Sequence, residues 1–490
     1  MTRWAALVLV VGLLVGGAVL DEADGPATDR QETDARTIAP VANRPDSLGS
    51  TWFCAGGTAE SGGFADHVVR AANPTDDDRQ GTVSIFPGGA EAVDVPFEVP
   101  AHDVAELRLA DHVDAAFAAA LVEFDGGGTV VEHQVSGETG TDVAPCSPDA
   151  SSTWYFAAGT TTRDARYLLV FFNPFSDAAV VDVTFRTEDD VRTPEAFEGL
   201  VVPGGSVVVR DVGEVVTRRD HVSASVVART GRLVIDRITS FDGTEGRTGL
   251  NVGLGGTGTA PVWYLPDGSI QEDTTESYVV YNPTDSSAEV DLELRAGAPE
   301  VGEIEPFQLT VAPEGFEEVV VSQEPRVAEA LSAAGVESFL HSASAFSVNG
   351  VPVVVERQVS GPESASRPGL DVVLGSPLES DRAVVVSGSS DPATEALVVQ
   401  NPSDEDALVT VQAFVGGEQE TVAEDVEVPA AGRATIVLED ATLPGPFAVL
   451  IESDRPVITE RRLLFGDEAS ASGIIATPLA GSEQIAEPII

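Results

Sequence analysis

An acidic residue followed by a cation closes an apolar run in three places, Asp236-Arg237, Glu356-Arg357 and Glu460-Arg461. A fourth copy, Glu132-His133, carries His in place of Arg. A carboxylate beside a guanidinium or imidazole is a tempting catalytic element. Neighbours in an extended strand point to opposite faces, however, so the two cannot act together at one site. Recurrence points to a shared structural duty, a tie to a turn or to an adjoining domain. Trp52, Trp154 and Trp263 open three of the copies beside Phe53, Tyr155 and Tyr264. An indole face suits a pyranose ring, which makes these speculative glycan contacts; core or junction packing suits their position better.

Asn73, Asn173, Asn282 and Asn401 each end an apolar run in an Asn-Pro turn. Proline after Asn disables the glycosylation sequon. The expected role is structural, with Asn capping the turn, Pro fixing φ and the following Asp bonding the backbone. Asp76, Asp77 and Asp78, with Asp404, Glu405 and Asp406, offer the hard oxygens calcium prefers. They lack the spacing of a calcium loop, so diffuse counter-ion uptake is expected and no cofactor. His67, His102, His112 and His133 match no metal signature and read as scatter. The Gly-rich run GLNVGLGGTGTAP opens no helix and is no phosphate loop, and neither G-x-S-x-G nor H-E-x-x-H occurs. No catalytic, cofactor or metal residue is predicted, and the chain is expected to be no enzyme.

The elements that hold these residues repeat. After each Asn-Pro turn comes an alternating strand (GTVSIF, AVVDVTF, AEVDLEL, ALVTVQAF), then a turn at Pro100, Pro203, Pro313 and Pro429. The acid of the acid–cation pair follows (Glu132, Asp236, Glu356, Glu460), and then a closing strand that is usually Gly-led. Three landmarks keeping their order four times define a repeat. Short Val-rich strands of period two, broken by Pro, Gly and Asp, predict β-sandwiches of six or seven strands each. The fold class is all-β: four immunoglobulin-like sandwiches in a row, over 49–148, 149–258, 259–376 and 377–481, with a tail at 482–490. The third copy is longer because EPRVAEALSAAG, Glu324 to Gly335, reads as an inserted helix.

The run "NP-[TS]-D, alternating strand, VP-x-G, strand, PVVVERQVSG" resembles a sandwich module repeated in exported bacterial surface proteins. With the heading STWFCAGG, the layout over residues 49–478 is similar to an uncharacterised actinobacterial exported family known only as a domain of unknown function. The resemblance implies repeated sandwiches and carries no activity or functional residue across. His133, where the other copies have Arg, departs from the pattern.

Charge and address complete the reading. The 490 residues hold 80 acidic side chains against 27 Lys plus Arg, all of them arginine, for a net charge of −53. That field repels phosphate backbones and excludes nucleic acid as a partner; it keeps a halophilic-type surface hydrated in salt. Arg3 precedes an uncharged stretch from Trp4 to Leu20, and acids follow at once. Residues 1–22 are therefore expected to be an apolar signal anchor, or else a cleaved signal peptide, with residues 4–20 in the inner membrane. Residues 23–48 are expected to form a flexible acidic stalk. Cys54 and Cys146 bracket the first copy of an exported chain and are expected to be bridged. The expected function is an extracytoplasmic, membrane-anchored (otherwise secreted) structural or adhesive protein meeting envelope proteins or polysaccharides. A glycan or envelope-polymer binder is the alternative.

Overall fold

The computed structural model describes residues 38–388, 395–438, 441–443, 447–465 and 470–486. The anchor and most of the expected stalk lie outside them. Among the described residues the chain is all-β but for short 3-10 turns and one α-helix, α1 (Pro325–Ala334), which stops at Gly335 in the left-handed conformation, φ 70°. No helix among them is long and apolar enough to cross a membrane.

Unit 1 sets the pattern. Its strands are β1 (Ser50–Cys54), β2 (Asp66–Asn73), β3 (Arg79–Pro87), β4 (Val93–Val99), β5 (Asp103–Arg108), β6 (Ala118–Phe124), β7 (Val130–Gly137) and β8 (Gly140–Pro145). They pair antiparallel into two four-stranded sheets, ordered β1-β6-β3-β4 and β5-β2-β7-β8. Each later copy of the sequence repeat also builds two sheets; in the fourth, one strand, Phe447–Phe465, serves both. The two-residue period is explicit along Ala179–Thr187, where buried and half-buried positions alternate without a break. The expected six or seven strands become eight in unit 1, because both flanks of the Val-Pro turn are separate strands in different sheets.

The Asn-Pro turns are built alike. Asn282 Nδ2 donates to Ser286 O at 2.7 Å and to Val311 O at 3.2 Å, while its Oδ1 accepts from Thr284 N at 3.0 Å. Asn73, Asn173 and Asn401 repeat these bonds, to Asp77 and Val99, to Asp177 and Val202, and to Glu405 and Val428. One buried carboxamide thus joins the end of a β2-type strand to the Val-Pro turn and satisfies backbone groups of both. Two residues beyond the Asp of the turn motif, Asp78 and Asp406 each accept from a Val-Pro-turn N–H, of Ala101 and Ala430.

The units are not in a row. β8 packs against its counterparts in unit 2 (Thr248–Leu254) and unit 4 (Ser470–Ile475), and the counterpart in unit 3 (Gly369–Leu374) touches both of these. The order closes on itself, 1-2-3-4-1. A row would leave an apolar flank bare at each end; closure leaves none. The apolar cores accordingly run across the junctions. Phe53 and Phe86 of unit 1 pack on Phe172 of unit 2, and Val384, Phe414 and Leu450 of unit 4 join the core of unit 1.

Residues 38–48, expected as stalk, instead strap unit 4 to unit 1. Ala42 N donates to Pro478 O and Ala42 O accepts from Ala480 N, both at 2.9 Å, while Gly128 N donates to Asn43 O at 2.8 Å. Ile38 and Val41 are buried. The described part of the expected tail also joins the fold: Glu483–Ile485 pairs with Leu378–Ser380. Apolar residues at Ile38, Val41, Ile485 and Ala486 supply the driving force that an acidic composition conceals.

Candidate functional site

The acid–cation pairs meet at the four joints of the ring. Adjacent residues do face opposite ways, and each pair uses both directions, the acid reaching the preceding unit and the cation the following one. Glu356 Oε2 accepts from Ala158 N at 2.5 Å and from Arg237 Nη1 at 2.8 Å. Glu460 accepts from Asp267 N at 3.0 Å and takes Arg357 in a forked pair at 2.6 and 3.1 Å. Glu132 closes the ring, accepting from Val386 N at 3.0 Å with Arg461 Nη2 3.4 Å away. Arg237, Arg357 and Arg461 are among the largest fully buried side chains. Burial of charge on this scale is tolerated only with such pairing.

The joint between units 1 and 2 is different. Asp236 Oδ2 accepts from Ala55 N at 3.0 Å and Gly56 N at 2.7 Å, and His133 Nε2 lies 3.5 Å from it. His133 Nδ1 is 3.1 Å from His67 Nε2, and His67 Nδ1 is 3.0 Å from Ala118 O. A carbonyl can only accept, so in the neutral pair His67 Nδ1 donates, His133 Nδ1 donates to His67, and His133 Nε2 faces Asp236 as an unprotonated nitrogen. Burial pushes the Asp236 carboxyl up to about 7. Burial lowers His67 to about 4; burial and the neighbouring His67 hold His133 well below the ordinary range. Two of the four histidines that read as scatter are therefore one buried, hydrogen-bonded pair, brought together by the pairing of β2 with β7. Sixty-six residues separate them, and no local spacing rule connects positions so distant.

Cys54 and Cys146 form a disulfide beside this same joint. Where unit 1 has these cysteines, unit 2 has Phe156 over Gly255 and unit 3 has Leu265 over Gly375. A Cβ on Gly255 would meet the Phe156 ring at 2.7 Å, and one on Gly375 would meet Leu265 Cγ at 3.2 Å. The glycines are small because a large side chain fills the position of the missing sulfur.

The glycan reading of the tryptophans is corrected. Trp52, Trp154 and Trp263 are all 0% exposed. Trp154 Nε1 donates to Leu233 O at 3.0 Å, and Trp263 Nε1 to Val353 O at 2.8 Å. They are core residues because each opens the strand that the two sheets close over. Of the acids considered for calcium, Asp76 lies 2.9 Å from His102 Nε2 and Glu405 pairs with Arg455. Among the described residues no three of His, Cys, Asp or Glu converge as metal ligands.

Along the axis the β8-type strands present one polar position per unit: Asp142, Asn251, Asp371 and Ser472. Each engages the next unit. Asp142 Oδ2 accepts from Val252 N at 2.7 Å, Asn251 Nδ2 donates to Val372 O at 3.3 Å, Asp371 Oδ1 accepts from Gly473 N at 2.8 Å, and Ser472 Oγ accepts from Val143 N at 3.2 Å. Beside this layer opens a mainly apolar cavity of about 70 Å³. Val143, Leu254, Leu374 and Ile474, one from each unit, line it with Ala39 and the Arg237–Glu356 pair.

A family of unknown function, DUF5719, matches residues 126–234 and 257–485, more than half of the chain. The chain belongs to DUF5719. No curated protein matches it. Among solved structures, a Thermotoga maritima protein (1070) is similar at 14% identity, covering 19% of this chain and 87% of its own, with a TM-score of 0.17. A tetra-tandem repeat from the extending region of a large adhesion protein is also 14% identical, covering 90% and 99%, at 0.11. A Streptomyces avermitilis α-L-rhamnosidase is 10% identical over 72% and 45%, at 0.14. At these TM-scores none bears on how this DUF5719 chain is built or what it does.

Proposed function

We propose that this DUF5719 chain is a non-enzymatic structural or adhesive protein of the cell envelope, exported and held at the membrane by residues 4–20. We read its four two-sheet units as copies of one immunoglobulin-like surface module. The observation that supports a structural role is the joint chemistry: the acids recurring in all four copies, and the cations beside them, tie unit to unit inside the ring. What remains outward is a strongly acidic surface suited to contact and hydration. Its partners are envelope proteins or polymers reached through that outer rim.

The test is crosslinking of the full chain in intact cells, with fractionation of the same cells. Recovery in the envelope fraction, crosslinked to one or a few envelope components through rim residues, is the expected result. Recovery in the cytoplasm would overturn the reading, as would turnover of a small substrate by the purified chain. Saturable retention on purified envelope polysaccharide would identify the partner as a polymer, bound by surfaces other than the buried tryptophans.

A further inference from the structure

The polar layer on the ring axis contains two oxygens without a partner among the described residues. Asp142 Oδ1 and Asn251 Oδ1 are buried and make no hydrogen bond, although both residues are only 1% exposed. They belong to one cluster, since Asn251 Nδ2 donates to Asp142 Oδ2 at 2.7 Å. The same planar carboxamide carries Asn251 Oδ1, so that atom lies in the cluster too. A Cβ on Gly253, which lines the axial cavity, would come within 3.9 Å of it. The backbone donors nearby, the amides of Val143, Val252 and Gly473, are already engaged.

The charge is also short of balance. Asp371 faces Arg357 at 3.1 Å, but Arg357 is simultaneously the partner of Glu460. Asp142 forms no ion pair among the described residues; its Oδ2 is held by the Val252 amide and Asn251 Nδ2, and the buried Arg237 guanidinium, already paired with Glu356, acts on it only through its field. Burial together with Asp371 pushes its carboxyl well above the ordinary range. A buried carboxylate is held by a proton or by a positive partner. The donors gathered here are two carboxylates, one amide oxygen and one hydroxyl. Such an all-oxygen set, free of nitrogen and sulfur, belongs to hard cations.

We propose that the ring axis binds one hard cation of the calcium class between Asp142, Asn251, Asp371 and Ser472. The ion supplies the partner that Asp142 Oδ1 and Asn251 Oδ1 lack. It contacts a residue from each unit and so acts as a pin through the closed ring. This site is separate from the acidic turns at Asp76–Asp78 and Asp404–Asp406, whose carboxylates lie on the surface.

The experiment titrates calcium into the chelator-treated full chain. A background of tetramethylammonium chloride screens the acidic surface with an ion too bulky to enter the axis. One saturable calcium per chain with a rise in Tm is expected. Asp142→Asn, nearly isosteric, should fold and lose that site, and Asn251→Asp should bind calcium at least tenfold more tightly. Failure to saturate at one ion per chain overturns the proposal, as does a site that survives Asp142→Asn. An Asn251→Asp chain whose Tm falls and is not restored by calcium also overturns it. If Asp142→Asn raises Tm in the absence of calcium while the wild type takes up none, Asp142 holds a proton and the proposal fails.

Discussion

Three joints of the ring carry a guanidinium against a carboxylate; the fourth carries two imidazoles against a carboxyl that burial pushes up to about 7. The backbone contact is common to all. In each, the acid accepts from a backbone N–H in the later part of the preceding unit's first strand or just beyond it. What differs is how the buried charge is handled, by pairing in three cases and by neutralisation in one. The joint without an arginine is also the one with the disulfide, and Cys54 directly precedes the Ala55 and Gly56 amides that Asp236 accepts. A covalent tie holds the donors where no ion pair does.

The comparison can be broken at its strongest point first. Cys54→Ala with Cys146→Ala removes a bridge spanning 92 residues. In the chain-entropy model that loses about 4–5 kcal/mol of stability. Chemical denaturation should show the loss, and hydrogen exchange should place the first opening at Ala55 and Gly56. Uniform loss of protection around the ring would contradict the pairing of bridge and joint.

Glu356→Ala leaves Arg237 buried without its carboxylate and should cost about 3–5 kcal/mol. A loss under about 1 kcal/mol at pH 7 would mean that the ion pair does not hold its joint.

Asp236→Asn should behave in the opposite sense. The folded carboxyl titrates at about 7 against an ordinary 3.8. Its protonation therefore supports the fold fully below about 3.8, and that support is lost as pH rises through 7. The variant should be more stable than wild type at pH 8, with the gap closing at up to ~1.4 kcal/mol per pH unit as pH falls from 7 toward 4. His67 runs the other way: lowered from 6.5 to about 4, it supports the fold above 6.5 and loses that support as pH falls through 4. The two slopes offset in wild type between about 4 and 6.5. Asp236→Asn should uncover a decline on acidification over that window, measured by Tm against pH.

The smallest effect is the control. The Asn-Pro turns are alike in every unit, so Asn73→Ala and Asn282→Ala should cost similar amounts, about 1–3 kcal/mol for a buried carboxamide whose backbone partners are left unpaired. A large difference between them would show that the units differ in more than their joints.

The architecture was legible where it rests on local pattern. Alternation announced the strands, Asn-Pro and Val-Pro announced the turns, and EPRVAEALSAAG announced α1. Opposite side-chain directions in a strand already meant that acid and cation must serve different places. Residues 38–48 and 482–486 misled because a few apolar side chains decide their placement against an acidic background. The tryptophans misled for a related reason: an aromatic at a strand head looks the same whether the opposing sheet covers it or leaves it bare.

By itself the amino-acid sequence determined the all-β class, the fourfold recurrence, the turn chemistry and the acidic surface, all of which depend on neighbours within a few residues. Only the tertiary structure decided that unit 4 returns to unit 1. It also decided that His67 and His133 share one hydrogen bond, and that Asp142, Asn251, Asp371 and Ser472 face a common axis. Those pairings join residues tens to hundreds of positions apart. They follow from packing whole units against each other, a choice made by the total buried surface and written in no single stretch of the chain.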